Sequence, residues 1–254
     1  MDRRQFTQAF AASAFAAAAS PALPSMARVA SPDSGADAPF PLSVMLWTVF
    51  NGLPFEERLA KVLEAGYTNI ELVGEYAKWA PADFDHANAA RKKLGIRFDA
   101  TAGLKNGVAN PSQRDALVEG KQIDGQPVRL LLECIDPEEN PRYYLQSAAE
   151  AIEIVRAVNH PQVQFLYDLF HEQIAEGNLL EKLEKNIDII GLIHVADVPG
   201  RHEPGTGEIN YGSVYKKLAQ LNYKHVVAME FKPTGDPVTT LRAAKAEVIK
   251  AAKA

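Results

Sequence analysis

Four polar side chains each close an otherwise apolar stretch of the chain. Glu133 ends LLLE, Asp168 ends FLYD, His194 ends LIH and Glu230 ends VAME. Three carboxylates and one imidazole are the oxygen and nitrogen ligands that Mg²⁺, Mn²⁺ or Co²⁺ accepts. A lone buried carboxylate is costly to ionise, whereas four such groups around one divalent cation satisfy one another. We therefore predict a metal site, although each residue could instead make a routine hydrogen bond at a strand end.

These residues fall in a repeating pattern of short apolar, β-branched runs and longer segments with helical periodicity. Such a pattern is typical of βα units and a parallel sheet. One helical segment is expected to stop at Gly66, and another to begin with Asp83 as its cap. Seven strands are predicted, at SVMLWTV (43–49), NIELV (69–73), RFDAT (97–101), VRLLLEC (128–134), VQFLYDL (163–169), GLIHVAD (191–197) and VVAMEF (226–231).

The predicted fold class is α/β, a TIM-type (β/α) barrel that is missing one βα unit. Active sites of such barrels lie at the carboxyl ends of the strands, where the four polar residues stand. An open doubly wound sheet is less consistent, because no glycine-rich phosphate turn follows the first strand. Between the third and fourth strands only one short helix is expected, around residues 113–119. An eighth strand has no counterpart in the sequence.

Further residues are candidates for substrate contacts. His171 follows Asp168 by about one helical turn, and Arg201 lies in the glycine-rich loop VPGRHEPGTGEINY just beyond the sixth strand. A loop over a strand end commonly supplies such contacts. Trp47 either lines the pocket or belongs to the core. Glu71 either reaches the pocket or caps a neighbouring helix.

Composition limits the classes of function. The chain has 254 residues, 47% of them hydrophobic, and a formal net charge of −5, which fits one globular domain and disfavours a nucleic-acid partner. The single cysteine, Cys134, excludes an intramolecular disulfide. It lies in the apolar run LLLECID, which predicts a buried and inert thiol.

The first residues resemble an export signal. Residues 1–27 contain Arg3 and Arg4 followed by an alanine-rich run, which predicts a twin-arginine-type signal peptide, cleaved after Ala27 or Ala30, and a periplasmic location. The run is too weakly apolar and too short for a stable membrane span; the alternative is an amphipathic amino-terminal helix. Residues 28–39 are predicted to be a linker, and residues 40–254 the barrel domain.

Four motifs carry a family resemblance: LLLECID, YDLFHEQIAEGNL, IHVADVPGRHEPGTGEINY and AMEFKP occur in this order. They resemble hydroxypyruvate isomerases of the sugar phosphate isomerase/epimerase, xylose isomerase-like TIM-barrel superfamily, from Phe40 to the carboxyl end. The resemblance implies that the four strand-end residues bind the metal ion, that Glu133 and Glu230 are also the acid/base pair, and that His171 and Arg201 bind substrate oxygens. The family would normally hold a further strand and helix between about Gly120 and Pro127.

The implied activity is metal-dependent aldose–ketose isomerisation of a small hydroxy-carbonyl compound through an enediolate, as between hydroxypyruvate and tartronate semialdehyde. A homo-oligomer is a further family expectation. A ketose 3-epimerase, or another sugar epimerase or a dehydratase of the superfamily, is an alternative, because epimerases share the metal arrangement. An endonuclease of related fold fits poorly with the acidic charge. A periplasmic sugar-binding protein with a degenerate site is the non-enzymatic alternative.

Overall fold

The structure is a computed structural model and describes residues 38–101 and 129–254. The predicted signal peptide, most of the predicted linker, the short helix expected around residues 113–119 and the region Gly120 to Pro127 lie outside the described residues. The described residues form one parallel sheet with helices packed along it.

The sheet has seven strands in the order β3-β2-β1-β7-β6-β5-β4, and every neighbouring pair is parallel. The first strand pairs with the last, as in a closed barrel. Within the described residues β3 and β4 are the two edge strands and do not pair with each other. The predicted TIM-type architecture is confirmed, with seven strands in the described residues. The strands are β1 (Leu42–Met45), β2 (Asn69–Leu72), β3 (Arg97–Thr101), β4 (Leu130–Glu133), β5 (Val163–Asp168), β6 (Ile190–Val195) and β7 (Val226–Met229).

Seven α-helices and two short 3₁₀ turns, Leu46–Thr48 and Glu75–Lys78, accompany these strands in the described part of the chain. None of these helices is both long and apolar enough to cross a membrane. The helices are α1 (Phe55–Glu64), α2 (Pro81–Leu94), α3 (Ala148–Val158), α4 (Leu169–Ala175), α5 (Leu179–Asn186), α6 (Tyr211–Gln220) and α7 (Pro237–Ala251).

Two helix starts differ from the sequence-based expectation. Helix α2 begins at Pro81, so Asp83 is not its cap; the Asp83 carboxylate instead accepts a hydrogen bond from the Ala80 backbone N–H at 2.8 Å. Helix α4 begins at Leu169, which was predicted to be the last residue of a strand. It begins there because the Asp168 carboxylate accepts hydrogen bonds from two backbone N–H groups of the first turn.

Side chains alternate between the two faces of each strand, and this alternation positions the polar residues. On β5, Phe165 and Tyr167 belong to the large core between the sheet and the helices. On the opposite, inward face lies a small apolar cluster of Leu166, Leu192 and Ala228. Asp168, His194 and Glu230 each follow one of these apolar residues by two positions. They therefore lie on the same inward face of the sheet.

Cys134 directly follows β4 and is packed into the large core. Its side chain is free and 2% exposed. Burial raises the pKa of this thiol well above its ordinary value. The prediction that Cys134 is buried is therefore confirmed, and the raised pKa is consistent with the predicted inert thiol.

Candidate active site

The four strand-end residues meet at the carboxyl ends of β4 to β7. One ligand atom from each of Glu133, Asp168, His194 and Glu230 lies within 4.8 Å of the others. Nδ1 of His194 lies 2.8 Å from Glu230 Oε2, 3.6 Å from Glu133 Oε1 and 3.9 Å from Asp168 Oδ2. The site that the sequence predicted is thus assembled around one imidazole nitrogen.

The other nitrogen of this imidazole determines what the first one can do. His194 Nε2 lies 3.0 Å from Glu71 Oε2, and both side chains are 3% exposed. An ionised carboxylate only accepts hydrogen bonds, so Nε2 carries the hydrogen and the lone pair of the neutral ring is on Nδ1. His194 Nδ1 and Glu230 Oε2 are both buried and make no hydrogen bond of good geometry, although they lie 2.8 Å from each other and an Arg201 nitrogen lies 2.7 Å from Oε2. Two electron-pair donors that converge in this way fit a bound cation.

The charges around the site support the same interpretation. Burial lowers the pKa of His194, but Glu230 and Glu71 more than offset it and raise that pKa well above its ordinary value. A proton at Nδ1 would therefore take the place of the cation when no metal ion is bound. The oxygen and nitrogen donor set fits Mg²⁺, Mn²⁺ or Co²⁺.

The carboxylates differ in their surroundings. Burial raises the pKa of Asp168, yet His171, Arg201 and His194 together outweigh it and hold that pKa well below its ordinary value. Burial raises the pKa of Glu133, although 28% of its side chain remains exposed. The surroundings of Asp168 thus favour its charged form, whereas Glu133 is the most solvent-accessible of the four candidate ligands.

Arg201 enters the same space from the glycine-rich loop after β6 and is 3% exposed. One terminal nitrogen lies 2.7 Å from Glu230 Oε2 and 3.2 Å from Asp168 Oδ2. The other lies 3.2 Å from Glu139 Oε2 and 3.3 Å from His171 Nε2. Its guanidinium is therefore a fixed donor beside the candidate metal ligands, close to the substrate-binding position that was predicted for it.

His171 is held by a residue that the sequence analysis missed. Nδ1 of His171 lies 2.6 Å from Asp136 Oδ2, which leaves Nε2 facing Asp168 at 3.4 Å. Asp136 is fully buried, and its Oδ1 accepts hydrogen bonds from the backbone N–H groups of Glu138 and Glu139. An Asp that precedes PEEN is the local sequence signal of such a turn, and it could have indicated that Asp136 is structurally important.

Asp136, Glu139 and His171 form a second group whose ligand atoms lie within 4.8 Å of one another. A cation fits poorly there. His171 Nδ1 is already paired with Asp136, and the Arg201 guanidinium contacts the remaining ring nitrogen and Glu139. We therefore assign this group to the positioning of His171 and Arg201.

The two ambiguous residues are now placed. Trp47 lies in the 3₁₀ turn after β1, and its Nε1 donates a hydrogen bond to Glu230 Oε1 at 3.1 Å, so it lines the site. Glu71 is 2% exposed and lies behind His194 rather than beside open space. Its Oε2 orients His194 and caps no helix of the described residues, while its predicted contact with substrate stays a prediction.

Known relatives are similar to this chain in sequence. A Danio rerio protein named as a hydroxypyruvate isomerase is 38% identical over 169 residues, which are 65% of this chain and 60% of that protein. A protein from Pectobacterium atrosepticum named 2-oxo-tetronate isomerase is 33% identical over 235 residues, covering 74% of this chain and 90% of that one. This chain thus spans about three fifths of the first relative's length and nine tenths of the second's.

Solved structures add the architecture. The 3-keto-D-glucoside 4-epimerase from E. coli aligns with a TM-score of 0.68 at 18% identity, covering 83% of this chain and 99% of that chain. At this identity the likeness shows a common fold. The family model described as xylose isomerase-like TIM barrel matches residues 120–252, about half of the sequence. The match spans all four candidate ligands and the loop that carries Arg201, and the chain therefore belongs to the xylose isomerase-like TIM barrel family.

Proposed function

We propose that this protein is a metal-dependent isomerase of small hydroxy-carbonyl compounds, with hydroxypyruvate as the simplest substrate. The observation that carries the proposal is the convergence of one donor atom each from Glu133, Asp168, His194 and Glu230 within 4.8 Å. The names of the relatives, hydroxypyruvate isomerase and 2-oxo-tetronate isomerase, support it. A divalent cation bound there would supply Lewis-acid polarisation of a carbonyl and a neighbouring hydroxyl.

The proposed reaction moves hydrogens within one molecule and needs no external oxidant. One hydrogen leaves the hydroxyl-bearing carbon as a proton and a proton is delivered to the neighbouring carbonyl carbon, while the hydroxyl proton passes from one oxygen to the other. Hydroxypyruvate thereby becomes tartronate semialdehyde. An enediolate lies between the two, so the site must stabilise negative charge on oxygen.

Two glutamates of the site are the proposed groups for the proton transfers. Glu230 is held by Trp47 Nε1 at 3.1 Å and by Arg201 at 2.7 Å, which fixes its carboxylate against the site. Glu133 Oε1 lies 3.6 Å from His194 Nδ1, the nitrogen that Glu230 also contacts, and the Glu133 side chain retains partial solvent access. We propose that these two remove and return the carbon-bound proton.

His171 and Arg201 are the proposed contacts to substrate oxygens. His171 Nε2 and the Arg201 guanidinium lie side by side at 3.3 Å and both face Asp168. Asp136 contacts His171 Nδ1 and Glu139 pairs with Arg201, so these two carboxylates orient the two side chains. A cationic donor next to the reacting oxygens would stabilise the charge that develops on them.

The decisive experiment replaces Glu230 by Gln in the Mn²⁺-loaded full chain and measures hydroxypyruvate turnover by ¹H NMR. Loss of the acid/base group should lower kcat by roughly 10²- to 10⁴-fold. Glu57→Gln, on the exposed face of α1, is the matched control and should retain activity. Undiminished turnover in the Glu230 variant would refute the proposal.

The same spectra separate the alternatives. An epimerase would convert a ketose to its epimer and leave hydroxypyruvate unchanged. A binding protein with a degenerate site would show thermal stabilisation by ligand without any product. If the wild-type protein gave either result, the proposed isomerase activity would be rejected in favour of that alternative.

A further inference from the structure

A lysine follows the site in the extended chain that leaves β7. The backbone N–H of Glu230 donates to Val195 O at 3.0 Å, and the N–H of Lys232 donates to Arg201 O at 2.7 Å. These two bonds tie the segment after β7 to the end of β6 and to the loop that carries Arg201. The side chains of Glu230 and Lys232 both reach Trp47: Glu230 Oε1 accepts from Trp47 Nε1 at 3.1 Å, and Lys232 Nζ lies 5.4 Å from the ring centroid.

The backbone of Lys232 is held from both directions. Besides its N–H bond to Arg201, its carbonyl oxygen accepts a hydrogen bond from His202 Nδ1 at 2.8 Å. Both partners belong to the glycine-rich loop that delivers Arg201 to the site. The position of Lys232 is thus coupled to that of a proposed substrate-binding residue, even though Lys232 itself is exposed.

The ammonium group of Lys232 lies over a residue of the site. Its Nζ is 5.4 Å from the ring centroid of Trp47, whose Nε1 binds Glu230. The guanidinium carbon of Arg201 lies 5.8 Å from the same ring, but Arg201 is paired with three carboxylates. Within the described residues Lys232 forms no such ion pair, so its positive charge is available to an anionic ligand.

The negative charges of the site would affect the binding of an anionic substrate, and Lys232 would offset them. Six carboxylates surround the candidate metal position and its neighbours: Glu71, Glu133, Asp136, Glu139, Asp168 and Glu230. A neutral hydroxy-ketone can enter such a site without further help. An anionic substrate meets repulsion from these carboxylates, and a free cation at the rim offsets it.

We propose that Lys232 binds the carboxylate of the substrate and thereby makes the protein select hydroxy-keto acids over neutral ketoses. This inference rests on the proposed function, because it assumes that the substrate occupies the site at Glu230. Lys232 would determine the class of substrate. The four candidate metal ligands do not determine it, because they would accept a keto acid or a neutral ketose alike.

The test compares Lys232→Met and Lys232→Arg with the wild-type chain. Methionine keeps an apolar stem against Trp47 and removes only the charge, whereas arginine keeps the charge. Lys224→Met is the matched control, because it removes one exposed positive charge just before β7, at the opposite end of the same strand. Unfolding midpoints verify that all variants are folded.

Two readouts are taken. Calorimetry of the Mn²⁺-loaded proteins measures the Kd of tartronate, an unreactive hydroxy-dicarboxylate, and kinetics measures kcat and KM for hydroxypyruvate and for neutral dihydroxyacetone. We expect Lys232→Met to weaken tartronate binding and to raise KM for hydroxypyruvate, each about tenfold, with kcat little changed. Turnover or binding of dihydroxyacetone should not change, and Lys232→Arg and Lys224→Met should resemble the wild type.

Equal tartronate affinity in Lys232→Met and Lys224→Met would overturn the inference and leave Lys232 as a packing partner of Trp47. So would a wild-type protein that does not bind tartronate. If tartronate binds in a Lys232-dependent way but no compound is isomerised, the anion site is supported and the proposed function fails. The two failures are therefore distinguishable.

Discussion

The imidazole of His194 lies between two carboxylates from the strands on either side of β1: its Nε2 is 3.0 Å from Oε2 of Glu71 on β2, and its Nδ1 is 2.8 Å from Oε2 of Glu230, which directly follows β7. Only a strongly curved sheet brings β2 and β6 this close. Glu71 holds the hydrogen on Nε2, and this leaves Nδ1 free to donate its lone pair. The site therefore depends on a residue that contributes no ligand atom to it.

Replacing Glu71 by Ala should lower the affinity for Mn²⁺ by roughly 10- to 100-fold, because His194 loses the acceptor that orients its ring. Glu71→Gln should have a smaller effect, since its amide oxygen still accepts from Nε2–H. Titration calorimetry of the apoprotein measures the affinity. Glu57→Ala removes one exposed carboxylate elsewhere and is the control. A folded Glu71→Ala protein with unchanged affinity would contradict the assignment.

Metal binding should also stabilise the fold. The four candidate ligands come from four successive strands and are separated in an unfolded chain, so a cation binds mainly the folded state. At a free Mn²⁺ concentration about 100 times Kd, the free energy of unfolding should rise by about 2.7 kcal/mol, and chelation should reverse the increase. Urea denaturation measures it. His194→Ala should lose most of the increase, while His86→Ala, at an exposed histidine, should keep it.

The candidate ligands could be recognised from sequence because their signal is local. Each ends a short apolar run, and the period of two along a strand places it on the face of the preceding inward residue. Leu166 and Asp168 illustrate this, as do Leu192 and His194. The chain order of βα units then brings such ends to one edge of the sheet. The strand count followed from the same pattern.

The remaining features depend on contacts between distant parts of the chain. Glu71 and His194 are 123 residues apart, and nothing near either residue indicates the other. The role of Asp136 could not be predicted from sequence, because it depends on the orientation of the His171 ring. The choice between pocket and core for Trp47 was settled by a hydrogen bond to Glu230, which depends on how β1 pairs with β7.

The loop that carries Arg201 is organised by one buried carboxylate. Asp197 is fully buried, and its two oxygens accept hydrogen bonds of 2.9 to 3.0 Å from the backbone N–H groups of Val198, Gly205, Gly207 and Ile209. The loop is tight, because a Cβ at Gly207 would lie 2.0 Å from the Val198 carbonyl oxygen. Arg201 itself has a φ of 57°, a conformation that is unfavourable for a residue with a side chain.

Asp197→Ala should therefore destabilise the protein by about 3 kcal/mol, because four backbone donors lose their acceptor. It should also reduce hydroxypyruvate turnover, since Arg201 is no longer held in place. Asp188→Ala, which breaks only the surface pair with Arg156, is the control and should cost less than about 1 kcal/mol. Urea denaturation and kinetics together test this. Equal stability of the two variants would show that the loop does not depend on Asp197.

Glu172 on α4 should make stability depend on pH. Its side chain is fully buried; one carboxylate oxygen contacts Lys182 and the other has no hydrogen-bond partner. Burial raises the pKa of Glu172 from 4.5 to about 7, although Lys182 acts in the opposite direction. Between these two values the folded state retains a proton that the unfolded state releases. The stabilisation is thus complete below pH 4.5 and is lost as the pH rises through about 7.

The comparison with Glu172→Gln isolates this effect from all other titrations. From pH 4.5 to pH 8 the unfolding free energy of the wild type should fall relative to that of the variant, by about 3 kcal/mol at most. Glu176→Gln should differ little from the wild type in its trend over this range, because hydrogen bonds from Lys182 and Ser147 lower the pKa of Glu176 below 4.5, and its stabilisation is lost only as the pH falls below about 4.5. Urea denaturation at six pH values measures both. The difference in unfolding free energy between the wild type and Glu172→Gln could instead stay constant over this range. The Glu172 carboxyl would then titrate alike in the folded and unfolded chains, and Lys182 would fully compensate for its burial.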